Sequence, residues 1–116
     1  MVKVLAIGHA QTGIRWEHIA PYVGVEARSV WERYESDRVR EFYLRADHRP
    51  GVVLVFESDD VSEAERLVGA LPIVEAGLLD FEVIPVRPYI GFRELFEDPT
   101  YSPMAPESLF NQFATR

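Results

Sequence analysis

The sequence contains no cysteine, which excludes a disulfide framework, a thiolate nucleophile and any zinc or iron–sulfur site built on sulfur. Neither GxGxxG nor a P-loop occurs, so the chain has no glycine-rich cradle for a phosphate. No two of the three histidines, His9, His18 and His48, stand at the i, i+4 spacing of helical metal ligands, and no third ligand is evident. No metal or other cofactor is therefore expected. Ser29, Ser36, Ser58 and Ser62 lack the context of a nucleophile elbow. Basic residues are few, 12 against 19 acidic, and the net charge of −7 disfavours nucleic acid and anionic membrane surfaces as partners. Long apolar runs are also missing. The opening MVKVLAIGHA meets polar residues almost at once and reads as a strand, not as a signal peptide or a membrane span. A cytoplasmic location fits these features.

What is present suits one folded domain. At 116 residues with 47% hydrophobic side chains, the chain is long enough to bury roughly two-thirds of its unfolded surface. Its clearest organisation lies between Ser58 and Tyr89. Asp60 caps a helix, and Glu63, three residues on, is expected to reach back to the Asp60 amide. Val61, Ala64, Leu67, Val68 and Leu71 then share one helical face. Pro72 closes the helix and Gly77 supplies a turn. Leu79, Phe81 and Val83 alternate with Asp80, Glu82 and Ile84 as in a strand.

The rest of the chain supplies matching elements. Val2–Gly8 is a short β-branched strand, and 10–20 carries turn chemistry with Trp16, Ile19 and Tyr22 as apolar ties. From Pro21 to about Ser36 a helix is expected, with Val23, Ala27, Val30, Trp31 and Tyr34 on its apolar stripe and Glu26, Arg28, Glu32, Arg33 and Glu35 facing water. Val39–Asp47 alternates: Phe42, Leu44 and Ala46 point one way, and Glu41, Tyr43, Arg45 and Asp47 the other. His48-Arg49-Pro50-Gly51 turns the chain into Val52–Glu57, an almost continuous apolar run. The order strand, helix, strand, strand, helix, strand is the split β-α-β arrangement called ferredoxin-like, an α+β fold with two helices on one face of a four-stranded antiparallel sheet. It places the Val2 strand between the Val52 and Leu79 strands and the Val39 strand on an edge. Residues 1–96 form this domain. Residues 97–116 form an aromatic, proline-punctuated C-terminal tail that packs on the domain or on a partner subunit, with a short helix expected from Pro106 to Phe113.

In this fold one sheet face is left open and something must cover it. Burial between two copies in a homodimer is the physical solution, with a cavity between the helix-backed sheets. A sheet face that simply carries charged cross-strand residues into solvent is the alternative.

The stretch LPIVEAGLLDFEVIPVRPYIGFRELF, preceded by DVSEAERLVGA, resembles the C-terminal half of the dimeric α+β barrel superfamily, in particular its YCII-like and muconolactone isomerase-like members. The points of resemblance are Leu71-Pro72, Ala76-Gly77, Pro88-Tyr89 and Leu95-Phe96. The resemblance implies a small homo-oligomer built on a dimer, with a cleft between sheet and helices. It also implies, for some members, cofactor-free isomerisation or cleavage of small cyclic organic acids. The YCII-like pair of a histidine early in the first helix and a nearby aspartate has no counterpart at Val25-Glu26-Ala27, so that assignment does not carry over.

Candidate chemistry centres on Glu41, Tyr43, Arg45 and Asp47, since side chains two apart on a strand share a face at about 7 Å spacing. A carboxylate, a phenol and a guanidinium so placed can hold and deprotonate a small organic acid. Arg45 and Asp47 would bind it, with Glu57 at the end of the central strand, while Glu41, Tyr43 and His9 would serve in catalysis. A structural ion pair between Arg45 and Glu41 or Asp47 is the competing reading. Two functions stay open: a cofactor-independent isomerase or lyase acting on a small cyclic or carboxylated metabolite by proton transfer, or a non-catalytic oligomeric ligand-binding or structural module.

Overall fold

The computed structural model describes residues 1–97. The tail beyond them, with its expected helix from Pro106 to Phe113, lies outside the described residues. Strand β1 (Val2–Ala10) leads through a one-turn helix α1 (Trp16–Ile19) and a 3-10 turn at Ala20–Tyr22 into helix α2 (Val23–Glu35). Strands β2 (Val39–Leu44) and β3 (Val52–Ser58) follow, then helix α3 (Val61–Gly69), the short helix α4 (Pro72–Glu75) and strand β4 (Leu79–Val86). The described chain ends in a 3-10 turn (Gly91–Arg93) and helix α5 (Glu94–Glu97). The sheet order is β2-β3-β1-β4 with every pair antiparallel. This is the ferredoxin-like α+β fold, with β1 between β3 and β4 and β2 on an edge, as the element order predicts.

The core forms where α2 and α3 lie on one sheet face. Val4 and Ala6 of β1, Leu54 and Phe56 of β3 and Val39 of β2 meet Ala64 and Val68 of α3 and Leu71 just beyond it. Val30 of α2 and Leu67 of α3 pack against this cluster while remaining partly accessible. Each fully buried large side chain here contributes about 1.5–3 kcal/mol relative to exposure. Two glycines permit close approach. A Cβ on Gly8 would stand 2.7 Å from the Phe81 ring, and one on Gly51 would strike the Gly8 carbonyl oxygen.

Several local expectations are corrected. Pro21 lies in the 3-10 turn and the continuous helix begins at Val23. Segment 10–20 contains α1, but Trp16 is exposed and ties nothing down. Trp31, placed on the apolar stripe of α2, is 53% exposed and lies outside the buried core cluster. Strand β2 stops at Leu44, not Asp47, with a bulge at Arg40. Asp60 caps α3 through the Glu63 amide at 2.8 Å, yet Glu63 accepts from the Asp59 amide at 3.3 Å, one residue earlier than the capping-box pattern. Pro72, besides ending the preceding apolar face, opens α4 at its first turn.

Candidate functional site

On the open face of the sheet, side chains alternate with the buried set. Leu5 stands between Val55 and Ile84, and Ile7 between Val53 and Glu82. Glu41 is opposite Val55 and Tyr43 opposite Val53, so the expected alternation on β2 holds for these residues. The Tyr43 hydroxyl donates to Glu41 Oε1 at 2.6 Å. That carboxylate holds the phenol pKa above its usual value, first because ionisation would lose this hydrogen bond and then because it would set two negative charges side by side.

Beyond the end of β2, Arg45 is clamped. Its Nε donates to Asp47 Oδ1 at 3.0 Å, its Nη2 to Asp47 Oδ2 at 2.5 Å, and its Nη1 to the Gly8 carbonyl at 3.5 Å. The guanidinium holds Asp47 down to about 2, well below the usual carboxylate value. Bidentate pairing of this kind is a strong form of ionic contact, and it is already satisfied within the chain. His9 faces Asp80 across β1 and β4, and Gln11 donates to Asp80 Oδ1 at 3.1 Å. Glu57 faces Lys3, six residues along β1 from His9, which is about 20 Å at strand rise. The open face therefore brings Glu41 to Tyr43 and Arg45 to Asp47, while Glu57 lies far from the His9 end.

The opposite face holds a cleft of about 480 Å³ between α2 and strands β2 and β3. Val30 and Trp31 of α2 form one wall, with Phe42 and Leu44 of β2 and Leu54 of β3 on the other, and Tyr43, between Phe42 and Leu44 on the edge strand, also borders it. Tyr34 braces the rim, its ring 5.4 Å from Trp31 and edge-on to Phe42 at 5.6 Å. Among the described residues, one acidic side chain lines this apolar space, Glu26. Its Oε1 accepts the Ile73 backbone N–H at 3.2 Å, and no described residue bonds its second oxygen. Burial pushes the Glu26 carboxyl above its ordinary pKa, against the opposing pull of the Ile73 amide and the Arg33 charge. Arg33 itself is engaged, donating to the Leu67 carbonyl at 3.0 and 3.2 Å and to the Ser29 carbonyl and hydroxyl at 2.9 and 2.6 Å. A carboxyl in an apolar cleft, with its affinity for a proton raised, is a candidate for giving and taking a proton.

No family model matches the sequence, and no curated protein matches it. Among solved structures, 5-chloro-2-hydroxyhydroquinone dehydrochlorinase (TftG) from Burkholderia phenoliruptrix AC1100, in complex with 2,5-dihydroxybenzoquinone, is similar, with a TM-score of 0.58 at 16% identity over 73% of this chain and 91% of that one. That likeness shows the fold alone.

Among the described residues no group of three or more His, Cys, Asp or Glu side chains is placed to hold a metal ion, and no helix is long and apolar enough to cross a membrane. Glu26 escaped sequence reasoning, which assigned it to water. Its spacing carried a signal: it precedes Val30 by four residues and adjoins Ala27, which puts a carboxylate on the margin of the apolar stripe. The other half of its environment, the Ile73 amide, lies 47 residues away and left no local trace.

Proposed function

We propose that this chain is a small, cofactor-independent enzyme of isomerase or lyase type, acting by proton transfer on a small cyclic or carboxylated metabolite held in the cleft between α2 and the sheet, with Glu26 as the group that moves the proton. The observation that carries this reading is the position of Glu26, a carboxyl of raised proton affinity lining an otherwise apolar cleft. The cleft volume lies within the range of about 300–1,000 Å³ usual for small-ligand sites. A base must reach the proton it removes, and a site with one acidic group and largely apolar walls suits abstraction next to a carbonyl. The likeness to TftG, which holds a small ring, is an analogy at the level of fold.

A second reading keeps the open face. Its centre is aliphatic, with Leu5, Ile7, Val53, Val55 and Ile84 side by side, which favours a homodimer of the dimeric α+β barrel kind that buries two such faces. In that assembly the Glu41–Tyr43 pair and His9 would serve in catalysis, and Arg45, Asp47 and Glu57 would bind a small organic acid. The occupied Arg45 guanidinium weighs towards the structural role of that pair and towards the cleft as the reacting site. The non-catalytic alternative is an oligomeric ligand-binding or structural module of the same fold.

The test is deuterium exchange at carbon. A panel of small cyclic ketones and ring carboxylates is incubated with the protein in D2O and followed by proton NMR. Exchange next to the carbonyl faster than in buffer supports an enzyme. Ligands that perturb cleft resonances without faster exchange of any panel member would leave the binding module.

A further inference from the structure

Resting on the reading of the α2–sheet cleft as the substrate site, we infer that the cleft selects an uncharged ring bearing a carbonyl or amide and rejects the corresponding ring carboxylate. Among the described residues, none lining the cleft is cationic. A carboxylate drawn from water into this space would lose its hydration with no opposite charge to meet it, which is the costly way to bury an ion. The one acidic group it would meet, Glu26, repels it when ionised and offers no positive charge when protonated. Arg33, the cation nearest in effect to Glu26, has its donors held by Leu67 and Ser29. Arg45, the planar fork suited to a carboxylate, belongs to the other face of the sheet and is bonded to Asp47 and Gly8. The net charge of −7 adds a long-range bias in the same direction.

A neutral ring meets none of these penalties. It lies against Trp31 and Phe42, whose rings are 53% and 47% exposed without it, and a flat apolar ligand gains from covering such surfaces. The Glu26 oxygen that no described residue bonds gives its polar atom a partner: the protonated carboxyl donates to a carbonyl oxygen, and the ionised form accepts from an amide or hydroxyl. Selectivity follows from what the cleft lacks as well as from what lines it.

Benzamide and benzoate differ little in shape and by one charge, and serve as the probes. Each is titrated into the full-length protein at pH 7, with binding read from the backbone amides of Ala27, Val30 and Leu54 and the Trp31 indole in nitrogen–proton correlation spectra. Benzamide is expected to bind at least about tenfold more tightly, a difference of about 1.4 kcal/mol. In Glu26→Gln the gap should narrow, through tighter benzoate binding. Benzoate bound as tightly as benzamide, or a gap that Glu26→Gln leaves unaltered, overturns the inference while the cleft remains a ligand site. Failure of both probes to perturb those resonances at about 10 mM, a concentration that reveals weak fragment binding, overturns the cleft as a ligand site and the proposed function with it.

Discussion

The Glu26 carboxylate accepts the Ile73 backbone N–H at 3.2 Å, so that a residue of α2 caps the first turn of α4, 47 positions further along the chain. The contact ties two helices across the core-facing layer and holds one carboxylate oxygen while leaving the other without a described partner. Structure and proposed chemistry thus meet in one side chain, and substitutions can separate them.

Removing the cap should cost stability. Glu26→Ala is expected to destabilise the fold by about 0.5–2 kcal/mol, the usual range for a lost cap. Glu26→Gln retains an accepting oxygen for Ile73 and should cost less. Urea titration of both variants checks this, and equal losses would show that charge, not the hydrogen bond, holds α4.

The pH dependence has a definite sign. Because the folded-state pKa of Glu26 lies above its ordinary value of 4.5, the folded protein binds this proton more tightly than the unfolded chain. Its contribution to stability is complete below the ordinary value and is lost as pH rises through the raised one. Arg33 and the Ile73 amide oppose this shift and limit its size. Wild type minus Glu26→Gln stability, measured from pH 4 to 8, should therefore fall as pH rises.

Asp47 runs the opposite way. Its pKa is lowered from 3.8 to about 2, so the contribution of its pair with Arg45 is present above the ordinary value and lost as pH falls through about 2. In Arg45→Ala the Asp47 carboxyl should titrate near its ordinary value, as followed by carbon NMR. An unchanged low value would mean that backbone amides, not Arg45, hold the charge.

Packing predictions separate the true core from the apparent one. Leu71 is fully buried, and Leu71→Ala should cost about 2–5 kcal/mol. Leu67→Ala should cost less, since Leu67 only borders the core. Trp31→Ala should cost less still despite the larger side chain removed, because half of it faces solvent. Thermal or urea unfolding of the three variants gives the ranking directly.

That ranking also shows how far the fold was legible in the sequence. Alternation and turn residues were enough for the sheet order, because strand periodicity and the short β2–β3 connection are local signals, and Asp60 announced the start of α3 for the same reason. Trp31 was misplaced because helical periodicity gives a face but not how much of that face the rest of the fold covers. Arg45 and Asp47 were read as two further strand residues, and the end of β2 at Leu44 was hidden in a sequence whose alternation runs on past it. Of the site, the Glu41, Tyr43, Arg45 and Asp47 groupings were visible as spacing. The cleft required α2 and the sheet edge to be placed together, and its acid was capped from a distant segment.

The most direct test of the central claim compares three variants in the exchange assay, using 1-indanone as the cyclic ketone probe in D2O. If Glu26 in the cleft moves the proton, wild type accelerates exchange beside the carbonyl, Glu26→Gln loses that acceleration by about 10²–10⁴-fold, and Glu41→Gln and Arg45→Ala, which alter residues outside the cleft lining, retain most of it. Undiminished exchange in Glu26→Gln, with loss in Glu41→Gln or Arg45→Ala, would contradict the account and move the chemistry to the open face of the sheet.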